Sequence, residues 1–212
     1  YPCTAIFMSP TSTQRREVTL NSTRLADIDA TDPREMSRAL PVLVAQVERC
    51  VAFARKRLPG FGEATVARVA PRIGIRETRR LIGEHVLSAE EVIEGRKSPE
   101  VVAKGGHHVD IHGSGTYQKR VPVSGGHSYD IPYGCLIPRT LANVLVAGRC
   151  LSSTREANGS ARVMGTCMAT GQAAGVAAAL CALEGHSDVR ELPLELLQRT
   201  LRAQAAILDG TA

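Results

Sequence analysis

Two stretches of this 212-residue sequence place residue types at spacings that could do chemistry. The first is His107-His108-Val109-Asp110-Ile111-His112. Successive side chains on a strand point to opposite faces, so His108, Asp110 and His112 would share one. Two imidazoles and a carboxylate could hold zinc or iron with a coordination position left open. That pattern admits a metal-dependent enzyme, a hydrolase or an oxygenase. Close by in the chemical sense, Arg76-Glu77-Thr78-Arg79-Arg80 packs four charges into five residues. Such a cluster suits a structural ion-pair network, or a bidentate clamp on a substrate carboxylate.

The second stretch runs from Asn143 to Gly185. Residues 143–149 read as a buried strand ending at Gly148-Arg149. Residues 150–159 read as a polar loop, and a long helix follows. Asn158-Gly159-Ser160 is expected to cap that helix, leaving free N–H groups at its start. A helix N-terminus carries about half a positive charge and attracts anions or electron-rich oxygens. Ligands of α/β folds sit beyond the carboxyl ends of strands, so this order of elements would make a cofactor cradle.

The long helix is uncharged from Val163 to Leu183, a length that could span a bilayer. Gln172 near its middle and a composition dominated by Ala and Gly oppose that reading. Gly165, Ala169, Gly171, Gly175 and Ala178 recur at helical spacing and suit close packing against a sheet or another helix.

Other elements must position these residues. Residues 4–8 and 17–21 read as strands. Asp32, Pro33 and Glu35 form a helix start, and an apolar stripe through Met36, Leu40, Leu43, Val44, Val47, Val51, Ala54 and Leu58 predicts a helix over 33–57. Residues 64–70 alternate as a strand would. Ser88-Ala89-Glu90-Glu91 starts a short helix to about Glu94. Short strands are expected near 108–112 and 128–133, and an amphipathic helix over 193–207. Mixed strands and helices predict an α/β or α+β fold.

Composition narrows the function classes. Aromatics make up 3% with no Trp, too few for a base-stacking surface. The net charge of +5 is spread along the chain, so no nucleic-acid partner is expected. Six cysteines, at 3, 50, 135, 150, 167 and 181, include no CxxC pair. They read as reduced, mostly buried thiols of a cytoplasmic protein. The opening Tyr-Pro-Cys-Thr-Ala-Ile-Phe-Met, inside an expected strand, suggests a piece of a longer protein.

Taken together, NVLVAGRCLSST at 143–154 and ARVMGTCMATGQAAGVAAAL at 161–180 resemble the C-terminal flavin-binding segment of the FAD-dependent oxidoreductase family. IGIRETRRLIGEHVLSAEEV at 73–92, VDIHG at 109–113 and YDIPYGCLIPR at 129–139 match the same family in the same order. REVTLNSTRLADIDATDPREMSRA at 16–39 resembles its substrate-domain segment. The family is one of glutathione-reductase-like flavoproteins with two dinucleotide domains. The resemblance implies a mixed-sheet substrate segment over 1–135 and the C-terminal part of a split, Rossmann-like FAD domain over 136–212. It implies FAD as cofactor and a small-molecule substrate. It also implies a partner segment, the N-terminal half of the FAD domain with its G-x-G-x-x-G turn, which this sequence lacks. No membrane is expected.

By position, the resemblance implies cofactor contacts from Gly148, Arg149, Ser160, Arg162, Val163 and Gly165. His112, Tyr133 and Arg76 are the implied catalytic group, the first two handling protons beside the flavin and the third holding substrate. Two alternatives stand beside this reading. One is the metal enzyme built on His108, Asp110 and His112. The other is a non-catalytic fragment unable to bind FAD alone.

Overall fold

The structure is a computed structural model that describes residues 6–113 and 117–210. It is a mixture of helices and two-stranded sheets, as an α/β fold requires. The chain divides into two compact units, residues 1–75 with 112–118, and residues 76–111 with 119–212. The expected division at 135/136 coincides with neither boundary. One hydrophobic core runs from Leu87 to Leu208, straight across that position.

In the smaller unit, β1 (Phe7–Ser12) pairs antiparallel with β2 (Glu17–Asn21), with a register shift between Pro10 and Ser12. Of the strand expected at 4–8, residues 4 and 5 lie outside the described residues. Helix α1 (Pro33–Arg57) has its expected bounds. The Asp32 carboxylate accepts from Arg34 N–H, and Pro33 sits in the first turn, where its missing N–H costs nothing. The buried face is rotated from the expected stripe. Ala39, Gln46, Cys50 and Ala54 are inside, whereas Leu40 and Val44 are exposed. Gln46 explains the rotation. Its side-chain amide accepts from Arg24 N–H and donates to Arg24 C=O, both at 2.8 Å. A buried amide satisfied on both ends holds its helix face inward as firmly as an apolar one. The strand expected at 64–70 is absent, and those residues form irregular, mostly exposed chain. Alternation alone cannot make a strand where no ladder partner accepts its N–H groups.

In the larger unit, α2 (Ala89–Glu94) begins with a full capping box between Ser88 and Glu91 and ends at Gly95 in the left-handed region. Strand β3 (Val101–Gly105) pairs antiparallel with β6 (Tyr129–Pro132), aligning Ala103 with Ile131 and Gly105 with Tyr129. Strands β4 (Val109–His112) and β5 (Gln118–Val121) form another two-stranded sheet, of which His112 and Gln118 are assigned to the smaller unit. Strands β3 and β5 were not expected from the sequence; β4 and β6 were.

Helix α3 (Arg155–Ala161) leads into α4 (Met164–Glu184), and α5 (Leu194–Ala203) follows. Thr166, Thr170, Ala173, Ala177 and Cys181 give α4 its buried face, which packs over β3. Leu197 and Leu201 of α5 are fully buried beside it. Each such leucine contributes about 1.5–3 kcal/mol of apolar burial. The expected close-packed glycine face is turned outward instead. A Cβ added at Gly165, Gly171 or Gly175 would meet nothing within 4 Å, and Met164 and Met168 are exposed. By length and composition alone, α4 is apolar enough to cross a membrane.

Residues 143–147 form no ladder among the described residues and approach the core through Val146 N–H, which donates to Leu136 C=O at 2.8 Å. This corrects the expected buried strand. The hydrophobic run is present, but no neighbouring strand completes it here.

Gly83 marks the tightest backbone contact in this unit. A Cβ there would lie 2.8 Å from Gly134 O and 2.8 Å from Ser152 Cβ. Backbone cannot yield as a flexible side-chain tip can. Gly83→Ala is therefore expected to lower unfolding stability by about 2 kcal/mol or more, read as a drop in urea midpoint at unchanged m-value.

Candidate functional site

The site is built where α3 meets strand β4 and hands the chain to α4. Thr154 caps α3 by accepting from Ala157 N–H. Asn158, Gly159 and Ser160 are therefore interior residues of α3, all buried, and do not cap the long helix. The true N-cap of α4 is Val163, which offers no side-chain acceptor. The sequence reading failed here because Asn, Gly and Ser favour caps only on average. Three strong tertiary contacts override that preference.

Each of those contacts is specific. Gly159 lies against the backbone of β4, where an added Cβ would come within 3.1 Å of Asp110 O and 3.3 Å of Asp110 N. The Ser160 hydroxyl donates to His107 C=O and sits 2.8 Å from the Tyr129 hydroxyl. Since the serine proton goes to His107, the Tyr129 O–H donates to Ser160 Oγ. Asn158 Nδ2 donates to Arg149 C=O at 2.9 Å, which ties α3 to the Gly148–Cys150 turn. Its Oδ1 is buried without a hydrogen-bond partner.

That turn rests on α4. Gly148 takes φ of 74°, a left-handed conformation that favours glycine. Its N–H donates to Thr170 Oγ1 at 3.0 Å. Arg149 follows within the turn. Arg162, the C-cap of α3, donates from Nη2 to Asp110 C=O at 2.8 Å. Burial lowers its affinity for a proton, and repulsion from Arg76 adds to that effect. Arg76 Nη1 stands 3.3 Å from Asp110 Oδ2, and Arg120 Nε stands 3.4 Å from Asp110 Oδ1.

The structure thus brings together Gly148, Arg149, Arg162, Val163, Gly165 and Arg76, all expected from the sequence. Three other expected residues have different surroundings. Ser160 has no exposed surface, and its hydroxyl is engaged by protein groups, so it supports the junction from behind. Tyr133 is buried and donates to Val189 C=O at 3.1 Å, near Cys181 at the far end of α4. Seventeen residues of helix separate Cys181 from Met164, about 25 Å at 1.5 Å per residue. Burial also raises the Tyr133 hydroxyl well above the ordinary tyrosine range. His112 belongs to the smaller unit, where Nδ1 accepts from Arg24 Nη1 at 2.7 Å and Nε2 lies 3.3 Å from the Gln118 amide.

Those two contacts also correct the metal alternative. A guanidinium only donates, so it takes the Nδ1 lone pair of His112. That nitrogen is not left to bind a cation. Asp110 is oriented by arginines, and burial lowers the proton affinity of His108. Among the described residues no group of three His, Cys, Asp or Glu side chains could hold a metal ion.

The sequence reading missed Arg120, Tyr129 and the role of Gly159. A glycine inside a helical run is itself a signal of close backbone approach. Arg120 gave no local signal, since only the β4–β5 pairing carries it to Asp110.

Residues 3–201 match the model of a protein family described as FAD dependent oxidoreductase. No curated protein and no solved structure matches the chain.

Tyr129 gives the junction a pH signature. Burial pushes its hydroxyl up to about 12, from an ordinary tyrosine value near 10. The folded chain then holds this proton more tightly than the unfolded chain does. Its contribution is complete below pH 10 and is lost as pH rises toward 12, at up to about 1.4 kcal/mol per pH unit. Urea unfolding of wild type and Tyr129→Phe between pH 9 and 11.5 is expected to show a shallower decline in the variant. Parallel declines would mean that Tyr129 is not linked to folding.

Proposed function

Because this chain belongs to the FAD dependent oxidoreductase family, we propose that it passes hydride or electrons between a small-molecule substrate and FAD, with the α3–α4 junction facing the cofactor. The single observation that carries this reading is the bare start of α4. Val163 supplies no cap, Met164 and Gly165 are exposed, and a Cβ at Gly165 would meet nothing within 4 Å. The first N–H groups of a 21-residue helix therefore point out of the chain with their partial positive charge.

These residues fit a flavin nucleotide. FAD, when bound, supplies the ring that takes up the electrons. The Met164–Gly165 backbone would favour negative charge at the edge of that ring. Gly148, with no side chain on a left-handed turn, lets backbone approach a ligand closely, and Arg149 beside it adds a cation. Arg162 is held by Asp110 C=O, so its charge is fixed in place before any ligand arrives. Ser160 and Tyr129 hold this arrangement through their bonds to each other and to His107 C=O.

The same reading accounts for two unfinished surfaces. Residues 143–147 form an apolar run without a ladder, and α4 presents Gly165, Gly171 and Gly175 outward. Both are suited to pair with the N-terminal half of a split FAD domain, which carries the G-x-G-x-x-G turn. Glycines on a helix face allow the close approach that such packing needs. A cytoplasmic setting follows from the same reading and is supported by the free thiols of Cys50, Cys135, Cys150, Cys167 and Cys181.

Gly165→Leu separates this proposal from a purely structural role for α4. A Cβ there meets nothing within 4 Å, the position is exposed, and leucine is a better helix former than glycine by about 0.8 kcal/mol. Thermal stability of the isolated chain is expected to hold or rise slightly. Co-expression with a G-x-G-x-x-G segment should yield the visible flavin band in wild type and lose it in Gly165→Leu. A band of equal strength in both would remove the junction from the cofactor site.

A further inference from the structure

A cleft of about 390 Å³ opens on the face of the β3–β6 ladder that is turned away from the α3–α4 junction. Tyr129 and Asp130 are successive strand residues, so their side chains point to opposite faces. Tyr129 reaches Ser160 in the junction, and Asp130 lines the cleft. Lys97, Lys104, Gln198, Arg202 and Asp209 line it too, all within the larger unit. Gln198 Nε2 donates to Pro99 C=O and Val101 C=O, at 2.8 and 3.0 Å, which seats α5 against the start of β3. Asp130 Oδ1 pairs with Lys104, the two side chains being 5% and 9% exposed, and its Oδ2 accepts from Ser98 N–H at 2.9 Å. Asp209 holds Arg202 with both oxygens, at 2.7 and 3.0 Å.

Lys97 stands at the mouth of this cleft. The residue is exposed, but its amine is drawn in against the chain entering β6. Nζ donates to Ser128 C=O at 2.7 Å and lies 3.3 Å from Ser128 Oγ. Lys104, fixed by its buried pairing with Asp130, is near enough for its charge to act on this amine. Desolvation lowers the proton affinity of Lys97, repulsion from Lys104 lowers it further, and Asp130 offsets part of that. A lysine of ordinary proton affinity is only about 0.1% neutral near pH 7.5, so any lowering multiplies the neutral fraction directly. The neutral amine is the nucleophile, and a neighbouring cation is a recognised way to favour it. It keeps two N–H groups with which to hold Ser128.

We propose that Lys97, at the mouth of the cleft and beside Lys104, is an acylation site that takes the acyl group of an activated carboxylate, an acyl phosphate or a thioester. In the transfer the Lys97 nitrogen bonds to the acyl carbon. The bond from that carbon to the phosphate oxygen or thiol sulfur breaks, and the leaving group departs with the electron pair. The proton released by nitrogen is taken up by the leaving phosphate or thiolate, and nothing is oxidised or reduced. The product amide is uncharged, with a single N–H left for Ser128, and the cleft loses one positive charge. Lys104 is a positioning residue here, because it acts through the Lys97 amine. The site lies across the ladder from the cofactor-facing junction and stands without the flavoenzyme reading.

The other lysines of the chain supply an internal comparison. The 212-residue chain is incubated with acetyl phosphate or, separately, with acetyl-coenzyme A, and peptide mass spectrometry follows acetylation at each lysine. Near pH 7.5, Lys97 is expected to react several-fold faster than the exposed Lys56 and Lys119. Its rate should also level off at a lower pH than theirs. Fast reaction with one donor and not the other supports the proposal and identifies the source of the acyl group. Lys104→Met, which removes the neighbouring charge, should slow Lys97 towards the rate of Lys56, whereas Lys104→Arg should keep it fast. A merely structural role for Lys104 would not move the pH profile of Lys97. Circular dichroism establishes that each variant is folded, and the wild-type ranking and pH profile decide the matter if Lys104→Met is not. Equal rates at Lys97, Lys56 and Lys119, or parallel pH profiles, overturn the proposal. No acetylation of Lys97 by either donor, or an unchanged Lys97 rate in folded Lys104→Met, likewise overturns it.

Discussion

Helix α3 can lie on strand β4 because residue 159 has no side chain. With Gly159 against the Asp110 backbone, Ser160 reaches His107 and Tyr129, and Arg162 reaches the Asp110 carbonyl. A larger residue at 159 would lift the helix and stretch all three contacts together. Asn158 then fastens the opposite side of α3 to the Gly148–Cys150 turn, and Thr170 fastens that turn to α4. The position of every residue facing the candidate site therefore descends from one backbone-to-backbone approach. Because these polar contacts are largely buried, losing one leaves a desolvated partner behind, which makes the junction resistant to small rearrangements.

That rigidity gives the charges their meaning. Flexible surface arginines would relax apart and be screened by salt. Here Arg162 is fixed by a carbonyl and Arg76 and Arg120 are gathered by one carboxylate. Electrostatic preorganisation of this kind is how a protein assists a cofactor whose own ring does the redox chemistry. Membership of the FAD dependent oxidoreductase family makes FAD the cofactor in question. The imidazoles that invited a metal-centred reading fit this picture differently. His112 Nδ1 takes the Arg24 guanidinium, and His107 and His108 stack on each other beside the junction.

Helix α4 joins two environments. One face, built from Thr166, Thr170, Ala173, Ala177 and Cys181, is sealed into the core over β3. The other presents methionines, glycines and alanines to the outside. A helix apolar on all sides is ordinarily buried on all sides. In this chain α4 is sealed on one face only, although it is long and apolar enough to cross a membrane.

Much of this was legible in the sequence wherever local chemistry decides structure. The bounds of α1 and α2 follow from Asp32-Pro33 and from the Ser88/Glu91 box, since a cap and its helix are neighbours in sequence. Gly148, Arg162, Val163 and Gly165 could be grouped from the sequence because the turn and the two helices lie within a few dozen residues. What the tertiary structure alone decided was every question of partnership. Residues 64–70 and 143–147 carry strand-like patterns but form no ladder among the described residues. Gln46 turned α1 about its axis by bonding Arg24, and Ser160 left the candidate cofactor surface by bonding His107. Asp110 and Arg120 met only through the β4–β5 sheet. Periodicity and caps report on residues a few positions apart, whereas a buried polar group takes its role from whichever distant atom completes its hydrogen bond.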